Sequence, residues 1–269
     1  MGINDPKKSL VVFTTCERPH LLTKNLTSIQ DALEGLVGFD LVVSIDGLST
    51  HSNQESLSLA NDLGVDCIVA DQPEGVGISK NRVLSLLPEY GFYFFIEDDV
   101  EVLHSDLFLK HIEAFETTDI HHFCLHEPER LLREQDPTES QSGGVIRHAL
   151  YGSAQVTFFT REALDAVGGW HPIFQELRRG GHTEHSYRIY NEGLNPAPFN
   201  YIDALQHSCK WNNPTSIIIP DDKSVGDNDL FKVEIDLIES ELGKQPFYTK
   251  YRGRLLPALS PYKQELIRV

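Results

Sequence analysis

Residues 91–102 read GFYFFIEDDVEV, and this stretch decides how the rest of the chain is interpreted. The unbroken apolar and aromatic run from Phe92 to Ile96 is typical of a strand buried on both faces of a parallel sheet. Three acids, Glu97, Asp98 and Asp99, follow at its carboxyl end. Adjacent carboxylates repel one another and are costly to bury without compensation. A solvated acidic turn is the simplest interpretation, and a divalent-metal site at the sheet's carboxyl edge is the alternative.

The charge of the whole chain restricts its partners. The 269 residues include 23 Lys and Arg against 40 Asp and Glu, a formal net charge of −17. Because such a surface repels polyanions, we expect no binding of nucleic acid or anionic lipid through bulk charge. An anionic substrate would need local positive charge, from a metal or from a few placed basic residues.

The cysteines and the amino-terminal residues indicate the cellular compartment in which the protein is expected. Cys16, Cys67, Cys124 and Cys209 lie far apart without a CxxC pair, which favours buried free thiols in a reducing environment. The first residues, MGINDPKKSLVVF, lack the apolar core of a signal peptide, and no run approaches the ~20 apolar residues that span a bilayer. We therefore expect a cytoplasmic protein with no transmembrane segment.

Strand and helix patterns alternate through the first third of the chain. Strands are predicted at residues 9–14, 39–45 and 65–70, and helices from Pro19 to about Leu33 and at residues 53–63. A glycine-containing loop, PEGVGISKNR (73–82), leads into a third helix and can bring backbone N–H groups to a phosphate. This alternation predicts an α/β fold with a mostly parallel, Rossmann-like sheet flanked by helices.

The patterns after Val102 predict a second half of the same domain. A helix should follow at residues 107–115, an edge strand at 121–126, a strand at 153–160, a short helix at 161–167 and a strand at 199–202. The histidines of residues 121–126 match no standard zinc spacing. We predict one domain over residues 1–210, with halves at about 1–103 and 104–210, and a carboxyl-terminal extension over 211–269.

Six segments in this order resemble the GT-A type glycosyltransferases, especially the family 2-like group. The segments are VVFTTCERPHLLTKNLTSI, LVVSIDGLS, EGVGISKNRVLSLL, FIEDDVEV, VTFFTREALDAVGGWHPIF and GGHTEHSYRI. The Glu-Asp-Asp triplet is similar to the DXD-like metal motif of N-acetylglucosaminyltransferase I-like enzymes. Lys80-Asn81-Arg82 stands where that family has Ala-Arg-Asn, which leaves open the cation that faces the diphosphate. The resemblance covers about residues 9–207.

The resemblance implies a nucleotide-sugar donor, a glycan or other hydroxyl acceptor, and Mn²⁺ or Mg²⁺. Asp99 would be the principal metal ligand, and His207 either a further one or, as a lone histidine before Ser and Cys, a structural residue. Glu97 and Asp98 would bind ribose or metal-bound water. The remaining implied substrate-binding residues surround the nucleoside, the phosphates and the acceptor: Thr14, Thr15, Arg18, Asp46, Gly75, Lys80, Arg82 and Trp170. Such an enzyme uses the metal to neutralise the charge that develops on the diphosphate leaving group.

The segment GGHTEHSYRI (180–189) supplies the candidate general bases. An inverting transfer requires a group that accepts the proton of the acceptor hydroxyl. The resemblance favours Glu184 for this role and His182 next. A structural alternative is that Glu184 only pairs with Arg188, one helical turn later.

Two other functions share this α/β layout. Nucleotidyltransferases that form sugar nucleotides have a GxGxR-type loop directly after the first strand. This chain has Thr-Thr-Cys-Glu-Arg-Pro at that point, without a glycine. A non-catalytic nucleotide- or glycan-binding module of the same fold would be expected to have lost the acidic triplet, which is intact here. Glycosyl transfer therefore remains the favoured prediction.

Overall fold

The structure is a computed structural model that describes residues 8–125, 136–139, 145–149, 152–170, 181–212 and 266–267. The helices are α1 (Pro19–Leu33), α2 (His51–Asp62), α3 (Val76–Leu86), α4 (Asp106–Thr118), α5 (Arg161–Val167) and α6 (Gly181–Asn191). The first six strands are β1 (Ser9–Thr15), β2 (Phe39–Ile45), β3 (Asp66–Val69), β4 (Phe92–Glu97), β5 (Val100–Val102) and β6 (His122–Leu125). The other six are β7 (Asp136–Glu139), β8 (Val145–Ala149), β9 (Val156–Thr160), β10 (Phe199–Ile202), β11 (Cys209–Trp211) and β12 (Leu266–Ile267).

A seven-stranded sheet with the order β12-β3-β2-β1-β4-β9-β6 forms the centre of the fold. Strands β3, β2, β1 and β4 are parallel, so their carboxyl ends share one edge. In this register Thr14 lies beside Glu97 on one side and Ser44 on the other. The α/β fold with a mostly parallel sheet is therefore confirmed.

Antiparallel strands complete the sheet on both sides. Strand β9 runs antiparallel between β4 and β6, and β12 pairs antiparallel with β3. The antiparallel direction of β9 brings its first residues to the carboxyl end of β4, where Gln155 accepts the N–H of Glu97 on its carbonyl oxygen at 2.8 Å. The residues that precede β9 therefore lie next to the acidic triplet.

The helices cover the sheet on both faces because alternate strand residues point to opposite sides. Val11 and Phe13 of β1 lie in one apolar core with residues of α1, α2 and α4, whereas Leu10 and Val12 lie in the other with residues of α3, α5 and α6. Pro19 occupies the first turn of α1, where its missing N–H costs nothing. The Thr50 and Thr160 side chains accept the N–H groups of Asn53 and Ala163 and cap α2 and α5.

Two smaller sheets lie outside the central one. Strands β10, β8 and β7 form an antiparallel three-stranded sheet, and β11 pairs antiparallel with β5. The ribbon of β5 and β11 begins directly after Asp99, so it fixes the direction in which the chain leaves the acidic triplet. The N–H of Asn212 donates to the carbonyl oxygen of Asp99 at 2.7 Å.

Most predicted elements are present with small changes at their ends. Strand β9 begins at Val156 and not at residue 153, because Ser153 and Gln155 hydrogen-bond to each other ahead of the strand. The edge strand at 121–126 is confirmed as β6. The proposed extension over 211–269 lies almost entirely outside the described residues, and the domain boundaries remain a prediction.

The described part of the chain has no helix long and apolar enough to cross a membrane. All four cysteines are free thiols, and Cys67, Cys124 and Cys209 are buried, as expected. Burial raises the pKa of Cys67 to about 12.

Candidate functional site

The acidic triplet lies at the carboxyl end of β4, between the parallel strands and the ribbon of β5 and β11. Asp98 points toward the end of β1, where Oδ2 accepts the Thr15 hydroxyl at 2.8 Å and Oδ1 accepts Nη1 of Arg18 at 2.8 Å. Burial raises the pKa of Asp98 to about 6, while Arg18 acts in the opposite direction. Asp98, Thr15 and Arg18 therefore lie together at the ends of β1 and β4, and both Asp98 oxygens accept hydrogen bonds from the protein.

Asp99 has a different environment. Its Oδ2 accepts Nε2 of Gln155 at 2.8 Å, while Oδ1 is buried and has no hydrogen-bond partner among the described residues. Burial raises the pKa of Asp99, and the bond from Gln155 acts in the opposite direction. An unpaired buried carboxylate oxygen is costly unless a cation or donor compensates it. This oxygen is the feature of the site that fits a metal ion.

The protein itself supplies few further ligands. No group of three His, Cys, Asp or Glu side chains in the described ranges is arranged to hold a metal. Mg²⁺, however, is commonly bound by one or two carboxylates together with substrate phosphates and water. The donor set therefore fits a divalent cation that completes its coordination with water or phosphate oxygens, and does not fit a cage made by the described side chains alone.

Glu97 faces a buried lysine. Its Oε1 lies 3.6 Å from Nζ of Lys80, which also lies over the rings of Phe95 and Trp170. Lys80 is 1% exposed, and burial lowers the pKa of its ammonium group while Glu97 raises it. Lys80 therefore lies on the buried side of the triplet and pairs with its first acid, Glu97.

Trp170 is a core residue in this structure. Its indole ring stacks on His185 with ring centroids 4.4 Å apart, and Asn81 holds its backbone N–H and carbonyl oxygen, each at 2.7 Å. Arg82 is also fully buried and pairs with Glu74. The Trp170 ring and the Arg82 guanidinium are therefore both enclosed by the protein.

Asp46 holds the turn that begins α3. Its two oxygens accept the N–H groups of Glu74 and Gly75, each at 2.8 Å. Gly47 lies directly against Pro73 of the same turn with φ +92°, and a Cβ there would come 2.4 Å from the Pro73 nitrogen. The Gly75 N–H that was predicted to face phosphate is therefore bound to Asp46. The Thr14 hydroxyl likewise donates within the sheet, to the Ile96 carbonyl oxygen at 3.3 Å.

The Glu184 carboxylate is committed to Arg188. Its oxygens lie 2.5 Å from Nε and 2.9 Å from Nη2 of Arg188, and Glu184 is 2% exposed. Arg188 also donates to the carbonyl oxygens of Val167 and Gly169, so the pair fastens α6 to the end of α5. This is the arrangement expected if Glu184 only pairs with Arg188 and does not act as a base. Burial raises the pKa of Glu184, and Arg188 opposes that shift.

His182 lies in the first turn of α6 and is partly exposed. Its Nε2 lies 3.1 Å from the carbonyl oxygen of Gly152, so Nε2 carries the proton and Nδ1 is the basic atom of the neutral ring. Burial lowers the pKa of His182, and Lys80 and Glu97 act on it in opposite directions. His182 is thus within electrostatic reach of the triplet's first acid.

His207 is not brought to the triplet. In the antiparallel ribbon Cys209 pairs with Val102 and Trp211 with Val100, so the chain opposite Asp99 is Asn212. Ser208, which follows His207, accepts the N–H of Leu103 on its carbonyl oxygen, so His207 lies next to the end of β5 that is far from Asp99. We correct the sequence prediction accordingly and leave His207 out of the metal site.

Two amides at the triplet were missed by the sequence analysis. Gln155 binds Asp99, and the fully buried Asn25 of α1 donates to the Asp98 carbonyl oxygen at 2.6 Å. Asn25 stands three residues after Leu22, on the apolar face of α1, and a polar residue on such a face is a usable signal. The sequence gives no such signal for Gln155, because its contact with Asp99 depends on the antiparallel pairing of β9 with β4.

Comparisons with solved structures identify the fold. A mannosyltransferase, PcManGT from Pyrobaculum calidifontis, solved with GDP-Man and Mn²⁺, matches with a TM-score of 0.55 and 15% identity over 74% of this chain and 57% of that one. TarS from S. aureus matches with a TM-score of 0.52 and 15% identity, covering 72% and 57% of the two chains. The chain has the GT-A fold.

A third GT-A structure covers more of the chain. Glucosyl-3-phosphoglycerate synthase from Mycobacterium tuberculosis, solved with Mn²⁺, UDP and phosphoglyceric acid, matches with a TM-score of 0.53 and 14% identity over 89% of this chain and 78% of that one. The chain spans only a little over half the length of PcManGT and of the TarS structure. No protein-family model and no curated protein sequence matches it.

Proposed function

We propose that this GT-A chain is a metal-dependent glycosyltransferase that moves a sugar from a nucleotide-sugar donor to an acceptor hydroxyl with inversion. One observation carries the proposal: at the carboxyl end of β4, Oδ1 of Asp99 is buried and has no hydrogen-bond partner in the described part of the chain. Ligands of open α/β sheets bind at this edge. PcManGT and glucosyl-3-phosphoglycerate synthase have the same fold, and both were solved with Mn²⁺ and a nucleotide or nucleotide sugar.

Asp99 would hold Mn²⁺ or Mg²⁺ through Oδ1. The bound metal would neutralise the charge that develops on the diphosphate leaving group. Glu97 has 28% of its side chain exposed, so it is the member of the triplet best able to meet metal-bound water or ribose. Asp98 would act indirectly, by holding Arg18 and Thr15 at the end of β1.

The nucleoside side of the site would be shaped by Asp46 through the turn that it holds. Its carboxylate fixes the backbone of Glu74 and Gly75, which follow Pro73 at the carboxyl edge of the sheet. Of Arg18, Lys80 and Arg82, Arg18 is the most exposed to solvent, with 24% of its side chain accessible. We propose Arg18 as the group that faces the nucleotide, because Lys80 and Arg82 are enclosed by the protein.

His182 is the general base that the geometry favours over Glu184. An acceptor proton must pass to a group that is basic, accessible and not already neutralised. The Glu184 carboxylate is buried against Arg188, whereas the His182 ring is partly exposed and has no such ion pair; burial lowers the pKa of His182, and Glu97 raises it.

A thermal-shift panel tests the proposed function. We would measure unfolding with UDP, GDP, CDP and ADP, each with Mn²⁺ and with EDTA. A ligand at 100 times its Kd stabilises the folded state by about 2.7 kcal/mol. We expect one nucleoside diphosphate to stabilise the chain with Mn²⁺ and to lose that effect with EDTA and in Asp99→Asn. Stabilisation by none of them, or equal stabilisation with EDTA, would contradict the proposal.

A further inference from the structure

The side chain of Gln155 is fixed by its neighbours before it reaches Asp99. The Ser153 hydroxyl accepts the Gln155 N–H at 3.4 Å and lies 3.0 Å from Oε1, to which it donates. The Gln155 carbonyl oxygen accepts the N–H of Glu97. With Oε1 occupied by a donor, the amide nitrogen must face Asp99, and its distance to Oδ2 is 2.8 Å.

This hydrogen bond makes the two oxygens of Asp99 unequal. Oδ2 is occupied by the amide, and only Oδ1 lacks a partner among the described residues. A carboxylate held in this way can offer one oxygen to a cation. Mg²⁺ requires near-ideal octahedral geometry, whereas Ca²⁺ accepts six to eight oxygens and binds carboxylates with one or both oxygens. Occupation of Oδ2 therefore disfavours the larger ion.

We propose that Gln155 is a positioning residue that holds Asp99 as a one-oxygen ligand and thereby favours Mn²⁺ or Mg²⁺ over Ca²⁺. The inference rests on the proposed function, since it assumes that Asp99 binds the metal. Gln155 itself would not contact the metal or the substrate. Hydrogen bonds that orient metal ligands commonly contribute 10- to 100-fold to metal affinity.

The test measures binding of the metal alone. Mn²⁺ binding to the full chain is followed by the loss of its free-ion EPR signal, and Ca²⁺ binding by competition with Mn²⁺. Gln155→Met retains length without a donor, and Gln155→Glu replaces the donor with a repelling carboxylate. Gln54→Glu adds the same charge at an exposed position of α2 and is the matched control. Thermal unfolding confirms that each variant is folded.

We expect Gln155→Met to weaken Mn²⁺ binding by about tenfold or more, and the preference for Mn²⁺ over Ca²⁺ to fall because both Asp99 oxygens become available. Ser153→Ala, which removes only the support of Oε1, should change both quantities in the same direction by a smaller factor. Gln54→Glu should bind both ions as the wild type does.

Three outcomes overturn the inference. If Asp99→Asn abolishes Mn²⁺ binding but folded Gln155→Met binds Mn²⁺ with wild-type affinity, Gln155 has no positioning role and the proposed function stands. If Gln155→Met weakens both ions by the same factor, its role is structural only. If the wild-type chain shows no Mn²⁺ binding that depends on Asp99, the inference and the metal assignment of the proposed function both fail.

Discussion

At the residue scale, neighbouring acids of the same type have different environments. Asp98 and Asp99 are adjacent in the chain, yet both oxygens of Asp98 accept hydrogen bonds, from Thr15 and Arg18, while Oδ1 of Asp99 accepts none from the residues that the structure describes. Glu184 and His182 differ in the same way, because one is neutralised by Arg188 and the other is not. Hydrogen-bond partners, and not residue types, therefore distinguish the groups that the fold occupies from those that we propose to be functional.

The first prediction separates Glu184 from His182. Removing one partner of a buried ion pair leaves an uncompensated charge, so Glu184→Gln should lower the free energy of unfolding by about 3 to 5 kcal/mol. His182→Asn should leave stability nearly unchanged and lower kcat by about 10²-fold or more at saturating donor, because it removes the base. Urea unfolding and the initial rate of nucleoside diphosphate release measure the two effects.

The chain provides a matched control for the ion pair. Arg161 and Asp165 have the same four-residue spacing on α5, at 2.6 Å, but the Asp165 side chain is 59% exposed. Asp165→Asn should cost less than about 1 kcal/mol. A stable Glu184→Gln with kcat reduced 10²-fold would restore Glu184 as the base and remove His182.

At the element scale, local patterns predicted the strands and helices that bury continuous or periodic apolar faces. Strand β4 and helix α5 follow directly from their sequences, as does the edge position of β6. The ribbon of β5 and β11 and the direction of β9 were not predictable, since both depend on pairing between residues more than 50 positions apart. For this reason the sequence could place Asp99 just after β4, while its role as a metal ligand stays a prediction. The contact of Gln155 with Asp99 and the position of His207 at the far end of β5 could not be predicted.

Helix α4 carries a pH-dependent element of stability. His111 is 1% exposed among Phe94, Phe123 and Phe158, and its Nδ1–H donates to the Leu107 carbonyl oxygen at 2.6 Å. Burial lowers the pKa of His111 to about 4 from 6.5. As the pH falls, the unfolded chain binds this proton first, so stability is lost between about pH 6.5 and pH 4.

The second prediction follows from this shift. Relative to His111→Gln, which cannot take up the proton, the wild type should lose about 3 kcal/mol of unfolding free energy between pH 7 and pH 4. Urea titrations across that range measure the difference. His104→Gln, at an exposed position just before α4, is the control and should follow the wild-type curve. Parallel curves for wild type and His111→Gln would contradict the assignment.

At the scale of the whole molecule, the negative net charge of the chain and the acidic triplet both attract cations and repel anions. The net charge of −17 attracts divalent cations and repels a nucleoside diphosphate. Lys80 and Arg82 do not offset this repulsion at the sheet edge, because each is buried and paired with an acidic side chain. Binding of the anionic donor should therefore depend on the metal more than on basic side chains.

The last prediction is that the two ligands respond to salt in opposite directions. Screening weakens attraction and repulsion alike. Raising KCl from about 20 to about 200 mM should therefore weaken the binding of Mn²⁺ alone. The same change should leave unchanged, or strengthen, the binding of a nucleoside diphosphate at saturating Mn²⁺. Isothermal titration calorimetry measures both, with Asp99→Asn as the control that removes metal-dependent binding. A steep loss of nucleotide affinity with added salt would instead indicate that a cluster of basic residues holds the diphosphate, and would shift the phosphate site away from Asp99.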